Sequence, residues 1–587
     1  MKPMNGTLQI GREAADPTMI RYRNKYYIFA SMSLGVWVSE DMAKWKSHPL
    51  PESLPLYDYA PDARVIGDYV YLSASSNRKN CSFYRTKNIL KGPYEEIKGS
   101  FPFWDPNLFA DDDGRIYFYW GCSSDKPLFG VELDPKTMQP LTEPIALIEG
   151  HPEIIGYERI GEDHSIMPAT EEEAEQGYQA MLKQGNLNEE ELDPDLIPQI
   201  KAYMRRRPYI EGAWMDKFQG RYYLQYACPG TEYNGYGNAV YIGDSPLGRF
   251  TLADNNPYSY KPSGFISGAG HGSTMQDNCG NLWHTATMRI SKNFSMERRV
   301  GIWKAGIDED GELFCNQRYG DWPIAVENGQ QDPWRNPDVM LLSFGKKAYA
   351  SSEEGENIAS NVTDENIQTW WQASSNQKGQ WIEIDIGSVC DVRVIQVNFA
   401  DDHMNCEIPG KLQGEIEQQR FIDPVTYPTR WVLEGSMDGE QYQVIEDKSG
   451  TTTDLPHDLI VREDGVKVRY VRLNIISVPY GQKPCISGLR IFGKGAGTLP
   501  DKPEYTVNRV GNMDFDVKVE EAENRPVGYN ILWGSSPEKL YHSSIIYGTN
   551  EKRIGALVSG RKYHVRVDAF NEVGITEGVV SEVISFV

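Results

Sequence analysis

Residues 105–121 read DPNLFADDDGRIYFYWG: an apolar run, a turn at Asp113-Gly114, and a second run rich in tyrosine and phenylalanine. Two apolar runs joined by a short Asp-Gly turn are typical of a β-hairpin. The stretch therefore predicts two paired antiparallel strands. They are preceded by an acidic residue, Asp105.

The same arrangement occurs five times in the chain. The five segments begin at marker residues that lie 46, 43, 106 and 60 positions apart, namely Asp16, Asp62, Asp105, Glu211 and His271. Repeats of strand pairs at this spacing are typical of the blades of a β-propeller. The sequence thus predicts an all-β fold whose first part, residues 1–345, is a five-bladed propeller.

A helical insertion accounts for the long third interval. Between about residues 153 and 207 the strand pattern gives way to EEEAEQGYQAMLKQG after Thr170, and then to NEEELDPDLIPQIKAYMRRR. Acidic residues at the start and arginines at the end of this region suit the helix dipole. We predict two helical runs on the propeller surface.

Two further all-β units are expected after the propeller. Alternating segments such as WIEIDIG and VRLNII predict a β-sandwich over residues 346–495, and the Gly- and Pro-rich stretch KGAGTLPDKPEY reads as a linker. Short strands over residues 503–587 predict a small immunoglobulin-like sandwich. Trp533 should fill its core, and Tyr563 is placed where a tyrosine corner could bond back to the chain.

Composition limits the class of partner. The formal net charge is −24, which disfavours nucleic acid and anionic membrane surfaces as partners. The chain also carries 14 tryptophans and 34 tyrosines, and flat aromatic faces with carboxylates suit neutral polar ligands such as sugars.

The cysteines and the first residues bear on the compartment. The eight cysteines are scattered, with no CxxC pair, so we expect free thiols. The first residues lack the apolar block of a signal peptide, and no stretch approaches the length of a membrane-spanning helix. We therefore expect a cytoplasmic protein, or a periplasmic or secreted one if a leader was removed.

The markers suggest chemistry as well as architecture. Equivalent positions of a propeller converge on one end of the central channel, so four carboxylates and His271 would share one pocket. Crowded carboxylates raise each other's pKa values, which can create the acid and base that glycosidic cleavage needs. The alternative is that the markers are turn and cap residues.

Together these motifs resemble glycoside hydrolase family 43 over about residues 10–345. The resemblance implies inverting, mostly exo-acting glycosidases on a five-bladed propeller, chiefly β-xylosidases and α-L-arabinofuranosidases. It makes Asp16 the general base that activates water and Glu211 the general acid. It makes Asp105 the residue whose charge keeps the acid protonated and orients it.

Further site residues are implied by the same resemblance, each with an alternative. His271 becomes a calcium ligand, directly or through water, or else a hydrogen-bonded core histidine; no organic cofactor is expected. Asp62 would bond sugar hydroxyls, although Tyr59 stands where the family usually has tryptophan. Arg298 is either a substrate contact or a surface arginine.

Two tryptophans adjoin the predicted catalytic motifs. Trp104 and Trp214 could be platforms for sugar rings or could pack in the core.

The two C-terminal units also resemble known modules. SMDGEQY and YVRLNI make residues 346–493 similar to discoidin-like, galactose-binding-like sandwiches, which would contact glycan or brace the propeller. The last unit resembles a fibronectin type III domain, for which we expect a spacer or interaction role.

These inferences lead to one predicted function and two alternatives. We expect an inverting exo-glycosidase acting on pentose-containing plant oligosaccharides, as in xylan degradation. The alternatives are an exo-acting β-galactosidase on arabinogalactan side chains and a non-catalytic glycan-binding protein.

Overall fold

The structure is a computed structural model that describes residues 7–9, 13–56, 60–75, 79–194, 196–290, 292, 296–402, 405–407, 427–522, 524 and 526–585. Tyr59 lies outside the described residues. Within them the chain is dominated by antiparallel strands, as the sequence predicts.

Five four-stranded antiparallel sheets form consecutively along the first part of the chain. We call them blades 1 to 5. Blade 1 comprises Ala15–Tyr22, Lys25–Ser31, Gly35–Ser39 and Lys46–Pro49; blade 2 comprises Asp62–Ile66, Tyr69–Ser73, Phe83–Thr86 and Glu95–Ile97. Blade 3 comprises Asn107–Ala110, Ile116–Trp120, Leu128–Leu133 and Ile145–Ile148. Blade 4 comprises Glu211–Phe218, Arg221–Cys228, Gly237–Gly243 and Phe250–Leu252, and blade 5 comprises Ser267–Gln276, Leu282–Arg289, Arg298–Ile307 and Leu313–Cys315.

The first strand of each blade lies innermost. These five strands contact one another in sequence, and the first strand of blade 5 contacts that of blade 1, which closes the ring. The hairpin turns have the predicted chemistry: Arg23 and Asn24 both have positive φ, as do Gln219 and Gly220. Positive φ at both turn residues matches the right-handed twist of the flanking strands.

The insertion is helical, with boundaries that differ from the predicted ones. Helix α1 spans Glu171–Gly185 and begins with a capping box in which Thr170 and Glu173 bond each other's backbone. The second run starts as a 3-10 turn, Glu189–Glu191, and only then forms helix α2, Leu196–Met204. The helical part of that run is therefore shorter than expected.

A second unit is built on one eight-stranded sheet. Its strands are Met340–Leu341, Lys347–Ala350, Trp371–Gln372, Gln380–Phe399, Arg430–Ser436, Tyr442–Asp447, His457–Ser477 and Cys485–Lys494. The two longest strands change neighbours along their length at bulges, and the core they enclose contains Trp371 and Trp431. Separately, Thr7–Gln9 pairs with Asn405–Glu407.

The last unit consists of two antiparallel sheets. One contains Tyr505–Arg509, Phe515–Val519 and Glu551–Ile554; the other contains Gly528–Gly534, His542–Tyr547, Lys562–Phe570, Ile575–Thr576 and Ile584–Ser585. Trp533 is fully buried between them, and the backbone N–H of Val558 donates to the Tyr563 hydroxyl at 3.0 Å. The exact domain types of this unit and the preceding one remain predictions.

The last unit is docked on the propeller. Its core is continuous with that of blades 3 and 4, and the N–H of Gly156 donates to the carbonyl of Leu557 at 2.7 Å. Arg159 pairs with Asp514 at 2.7 Å and is itself 5% exposed. The unit is therefore packed against the propeller and is no free spacer, because a linker pattern does not determine where the next unit packs.

Two observations bear on the expectations about compartment. Seven cysteines within the described ranges are free thiols. In that same part of the chain, no helix combines the length and the apolar character needed to cross a membrane.

Candidate active site

Three of the five markers meet at one end of the propeller channel, in an unusual backbone conformation. Asp16, Asp105 and His271 have φ values of 50°, 52° and 45°, in the left-handed region. In blade 1 the innermost strand shifts register with the second strand beside Asp16. In blade 5 the innermost strand does the same beside His271. Such conformations cost about 1–3 kcal/mol each and cluster at functional sites, where they aim side chains.

Glycines make room for this cluster. Gly212 has a φ of 61°, and a Cβ there would lie 2.8 Å from the His271 ring. A Cβ on Gly270 would lie 2.6 Å from the ring of Tyr236. The EG and GHG motifs therefore contain glycine because two rings approach the backbone too closely for any side chain.

Asp16 is buried and held by a cation. Its backbone N–H donates to Thr287 Oγ1 at 2.8 Å, and its carboxylate accepts from Arg298 Nη1 at 3.1 Å. Arg298 also donates from Nε to Glu13 Oε1 at 3.1 Å and is 4% exposed. Arg298 is thus no surface arginine, and its side chain joins Asp16 to Glu13.

His271 lies between two carboxylates. Its Nδ1 is 3.5 Å from Asp16 Oδ1 and 3.5 Å from Asp105 Oδ2. Burial alone would lower the pKa of His271, but the charges of Asp105, Asp16 and Glu211 outweigh it and raise that pKa. The imidazole of His271 therefore links the first and third markers.

Asp105 has a strongly raised pKa. Burial, opposed by His271 and reinforced by the charges of Glu211 and Asp16, raises the pKa of Asp105 to about 8. The family resemblance implies that Asp105 acts as an ionised neighbour of the acid. The structure instead favours a proton on Asp105, because its side chain is only 4% exposed. Burial outweighs the backbone N–H of Gly212, a donor at 3.2 Å that by itself lowers the pKa.

Glu211 is half-buried and receives two donors. The Tyr236 hydroxyl donates to Oε1, and the Cys122 thiol donates to Oε2 at 3.0 Å. A carboxylate oxygen of Glu211, one of Asp105 and the Cys122 sulfur lie within 4.8 Å of one another. Two carboxyl groups at this separation are close enough to influence each other's protonation.

Four residues that contact the cluster were not predicted from the sequence: Glu13, Cys122, Tyr236 and Thr287. Glu13 stands three positions before Asp16, and Cys122 directly follows the repeat that ends at Gly121. Position beside a marker is the one sequence signal that could have found them. Tyr236 and Thr287 carry no such signal.

Asp62 lies apart from the cluster in its contacts. Its two oxygens accept from Asn107 Nδ2 at 3.0 Å and from the Leu108 N–H at 2.8 Å, and the residue is 1% exposed. Burial raises its pKa to about 6. These contacts tie the innermost strands of blades 2 and 3 together, and the sugar contact of Asp62 stays a prediction.

The two tryptophans differ. Trp214 is 3% exposed, lies 3.5 Å beneath the guanidinium carbon of Arg64, and donates its indole N–H to Asp216 at 2.9 Å. It packs as a core residue, which is the second of its predicted alternatives. Trp104 is half-buried beside Asp105, and a platform role for it remains a prediction.

The described donor set does not fit calcium at His271. Calcium prefers six to eight oxygen ligands. Within the described ranges, the one group of three or more potential ligands is Asp105, Cys122 and Glu211, which contains a thiol and leaves out His271. His271 Nδ1 lies 3.5 Å from an oxygen of each of the two carboxylates.

The fold and these contacts define a five-bladed propeller with an acid–base cluster at the channel mouth. Residues 10–159 match the sequence model of the glycosyl hydrolases family 43. The match contains Asp16 and Asp105, and Glu211 and His271 lie beyond it.

Two curated relatives and a solved structure are similar to the chain. A "Xylosidase/arabinosidase" of Bacteroides ovatus is 31% identical over 157 residues, which is 26% of this chain and 40% of that protein. A "Beta-D-galactofuranosidase xynD" of Aspergillus niger is 22% identical over 345 residues, or 51% of this chain and 81% of that protein. A structure described as "Glycoside hydrolase" is 18% identical, with a TM-score of 0.43 over 83% of this chain and 99% of its own.

Proposed function

We propose that the protein is an inverting, exo-acting glycosidase. The observation that carries the proposal is the pairing of two differently held carboxylates at one channel mouth. Asp16 is buried against Arg298, whereas Glu211 is half-buried, with an oxygen within 4.8 Å of Asp105. An acid and a base in contrasting environments are what glycoside hydrolysis requires.

The base role falls to Asp16. The Arg298 guanidinium, 3.1 Å from the carboxylate of Asp16, favours its ionised form. An ionised Asp16 would take a proton from a water as the water oxygen bonds to the anomeric carbon. The glycosidic C–O bond breaks in the same step, and its oxygen leaves with the proton of Glu211.

Asp105 is the proton reservoir in this proposal. With a pKa raised to about 8 it holds a proton at neutral pH, and its carboxyl group is within reach of Glu211. In this proposal the proton passes from Asp105 to Glu211 when a sugar covers the site and excludes water. Asp105 thereby acts as a positioning residue for the acid.

The proposed substrate is a pentose-containing plant oligosaccharide. The Bacteroides relative is named for xylose and arabinose, and its 31% identity is higher than that of the Aspergillus relative. A second candidate is a galactofuranoside, because the Aspergillus relative, named for that sugar, is matched over more than twice as many residues. Both candidates require the same acid and base.

The test is a panel of nitrophenyl glycosides, followed by product stereochemistry. The panel contains β-xyloside, α-L-arabinofuranoside, β-galactoside and β-galactofuranoside, with Glu211→Gln protein purified in parallel to detect contaminating activity. We expect hydrolysis of a pentoside and, by proton NMR of the first product, inversion at the anomeric carbon. Retention, or no hydrolysis of any glycoside, would overturn the proposal.

A further inference from the structure

The helical insertion forms one wall of a groove beside Glu211. This groove has a volume of about 440 Å³. It is lined by residues of the insertion, by Ser124 from the loop between the second and third strands of blade 3, and by residues of the corresponding loop of blade 4. We call it the insertion groove and define it by Ser124, Tyr203, Arg206, Tyr209, Glu232 and Tyr233. Its volume falls within the range of small-molecule sites.

The lining residues lie near the candidate acid, because the charge of Glu211 contributes to the raised pKa of Tyr209 and of Glu232. Tyr209 stands two residues before Glu211, and Ser124 stands two residues after Cys122, the thiol that donates to Glu211. On the opposite side, the carbonyl of Tyr233 accepts from the N–H of Tyr236 at 3.1 Å, and the Tyr236 hydroxyl is the other donor to Glu211. The same short segments thus hold the acid and line the groove.

The lining suits a sugar. Tyr203 is 67% exposed and Tyr209 is 40% exposed, so both present aromatic surface at the groove. Burial, together with the charge of Glu211, raises the pKa of Glu232. Stacking faces beside carboxyl and guanidinium groups can meet the apolar faces and the hydroxyls of a carbohydrate ring.

The insertion holds Tyr203 in place. Arg205 Nε pairs with Glu171 at 3.0 Å and Lys201 pairs with Glu175 at 3.0 Å, which ties the segment around α2 to α1. The N–H of Ala169 donates to the carbonyl of Arg205 at 2.9 Å, which joins the two ends of the helical segment. Tyr203, at the end of α2, is therefore on a braced element and not on an isolated loop.

We propose that the insertion groove binds the leaving-group sugars of an oligosaccharide substrate. The inference rests on the proposed function and deepens it. A general acid protonates the oxygen of the leaving group, so the sugars beyond the cleaved bond must extend on the side of the acid. The groove begins beside Glu211, and Tyr203 then forms a platform for a sugar beyond the cleaved bond.

The test compares two substrates that share the same terminal sugar. One is a tetrasaccharide, and the other is the glycosyl fluoride, whose leaving group contains no sugar. For Tyr203→Ala we expect the ratio of kcat/KM for tetrasaccharide over fluoride to fall by about three- to tenfold, the size of a lost stacking contact. Tyr349→Ala is the matched control, because Tyr349 is 47% exposed on the eight-stranded sheet, outside the groove. An unchanged ratio in Tyr203→Ala, or an equal fall in the control, would overturn the inference.

A second variant removes helices α1 and α2 of the insertion. Because Ala169 and Arg205 are hydrogen-bonded neighbours, a short Gly-Ser linker can replace residues 171–204. We expect a folded protein by calorimetry, with at least the same fall in the ratio.

Failure of the proposed function gives a different result. If the wild type cleaves neither substrate, that function is wrong, and calorimetric titration of the tetrasaccharide then tests the groove alone. Weaker binding by Tyr203→Ala than by Tyr349→Ala would support the groove. Equal binding, or no binding by the wild type, would overturn it.

Discussion

Two buried charge clusters of this molecule have similar composition and opposite character. The mouth cluster contains Asp16, Asp105, His271 and Arg298, with Glu13 and Glu211 at its edges. The brace cluster contains Lys261 and Asp321 from the propeller part and Glu365 and Arg490 from the second unit. In the brace two cations face two anions at 2.6–3.0 Å, whereas in the mouth the acids outnumber the cations and the contacts of His271 are 3.5 Å long.

The difference separates an ion-pair network that holds units together from one that is ready for proton transfer. In the brace the charges of Lys261 and Arg490 hold the pKa of Asp321 below its ordinary value, although burial opposes them. Burial raises the pKa of Glu365 and lowers that of Lys261, but neither shift is as large as that of Asp105. In the mouth burial prevails and raises the pKa of Asp105 to about 8. A titratable group with such a shift in a cleft is a candidate for catalysis, and a balanced network is not. Variants of the mouth should therefore change activity, and variants of the brace should change stability.

Within the mouth cluster, substitution of Glu211 should have the greatest consequence. Glu211→Gln removes the transferable proton, so kcat should fall by about 10²–10⁴-fold on substrates with poor leaving groups. The loss should be smaller on substrates whose leaving group needs no protonation, and the melting temperature should change little. The control is Glu40→Gln, an exposed glutamate paired with Lys25. Equal losses of kcat on both kinds of substrate would contradict the acid role.

Substitution in the brace cluster should lower stability and leave activity nearly unchanged. Arg490→Met keeps most of the side-chain volume but leaves Glu365 and Asp321 buried with less compensating charge, at a cost of about 3–5 kcal/mol. Calorimetry should show a clear fall in melting temperature, with kcat of the folded protein nearly unchanged. The matched control, Arg553→Met, breaks an exposed pair with Asp516 and should cost about 1 kcal/mol or less. Similar shifts in the two variants would remove the distinction between the clusters.

Asp105 should make both activity and stability depend on pH. Its pKa rises from 3.8 to about 8 on folding, so its contribution to stability is full below about pH 4 and is lost as the pH rises through about 8. His271, whose pKa is also raised, acts in the same direction. The wild type should thus lose more stability than Asp105→Asn between pH 5 and pH 9, by on the order of a few kcal/mol.

The pH dependence of kcat should also reflect the protonation of Asp105. The alkaline limb of the wild-type kcat profile should fall near pH 8, where Asp105 loses its proton. Arg490→Met serves as the reference, because its kcat profile should keep this limb. An unshifted limb in the residual activity of Asp105→Asn would show that another group controls it.

Removal of metal ions should have the smallest effect on activity and stability. The ligand set at the mouth includes the Cys122 thiol and does not fit calcium, so dialysis against a chelator should change kcat and melting temperature by less than about twofold and about 2 °C. Elemental analysis of the dialysed protein provides the check. Loss of activity that added calcium restores would reinstate His271 as a metal ligand.

Much of this fold could be predicted from local sequence patterns. The five hairpins were predictable because turn residues such as Arg23-Asn24 and Gln219-Gly220, and the runs on either side, act within a few neighbouring positions. Helix α1 was predictable for the same reason, because its capping box needs only the four consecutive residues from Thr170 to Glu173. The shorter α2 marks the limit of such patterns, because acidic residues before it suggested a longer helix.

The order of the blades and the position of each marker along the chain could be read from the sequence, because strand alternation and turn chemistry are local. Which markers share a pocket depended on closure of the ring, which brought His271 to Asp16 and Asp105 and left Asp62 bonded between two blades. Folding also recruited Tyr236 to Glu211 and docked the last unit on blades 3 and 4. Distances between blades and the degree of burial depend on how all the units pack, and packing between distant residues is not encoded in any short window of sequence.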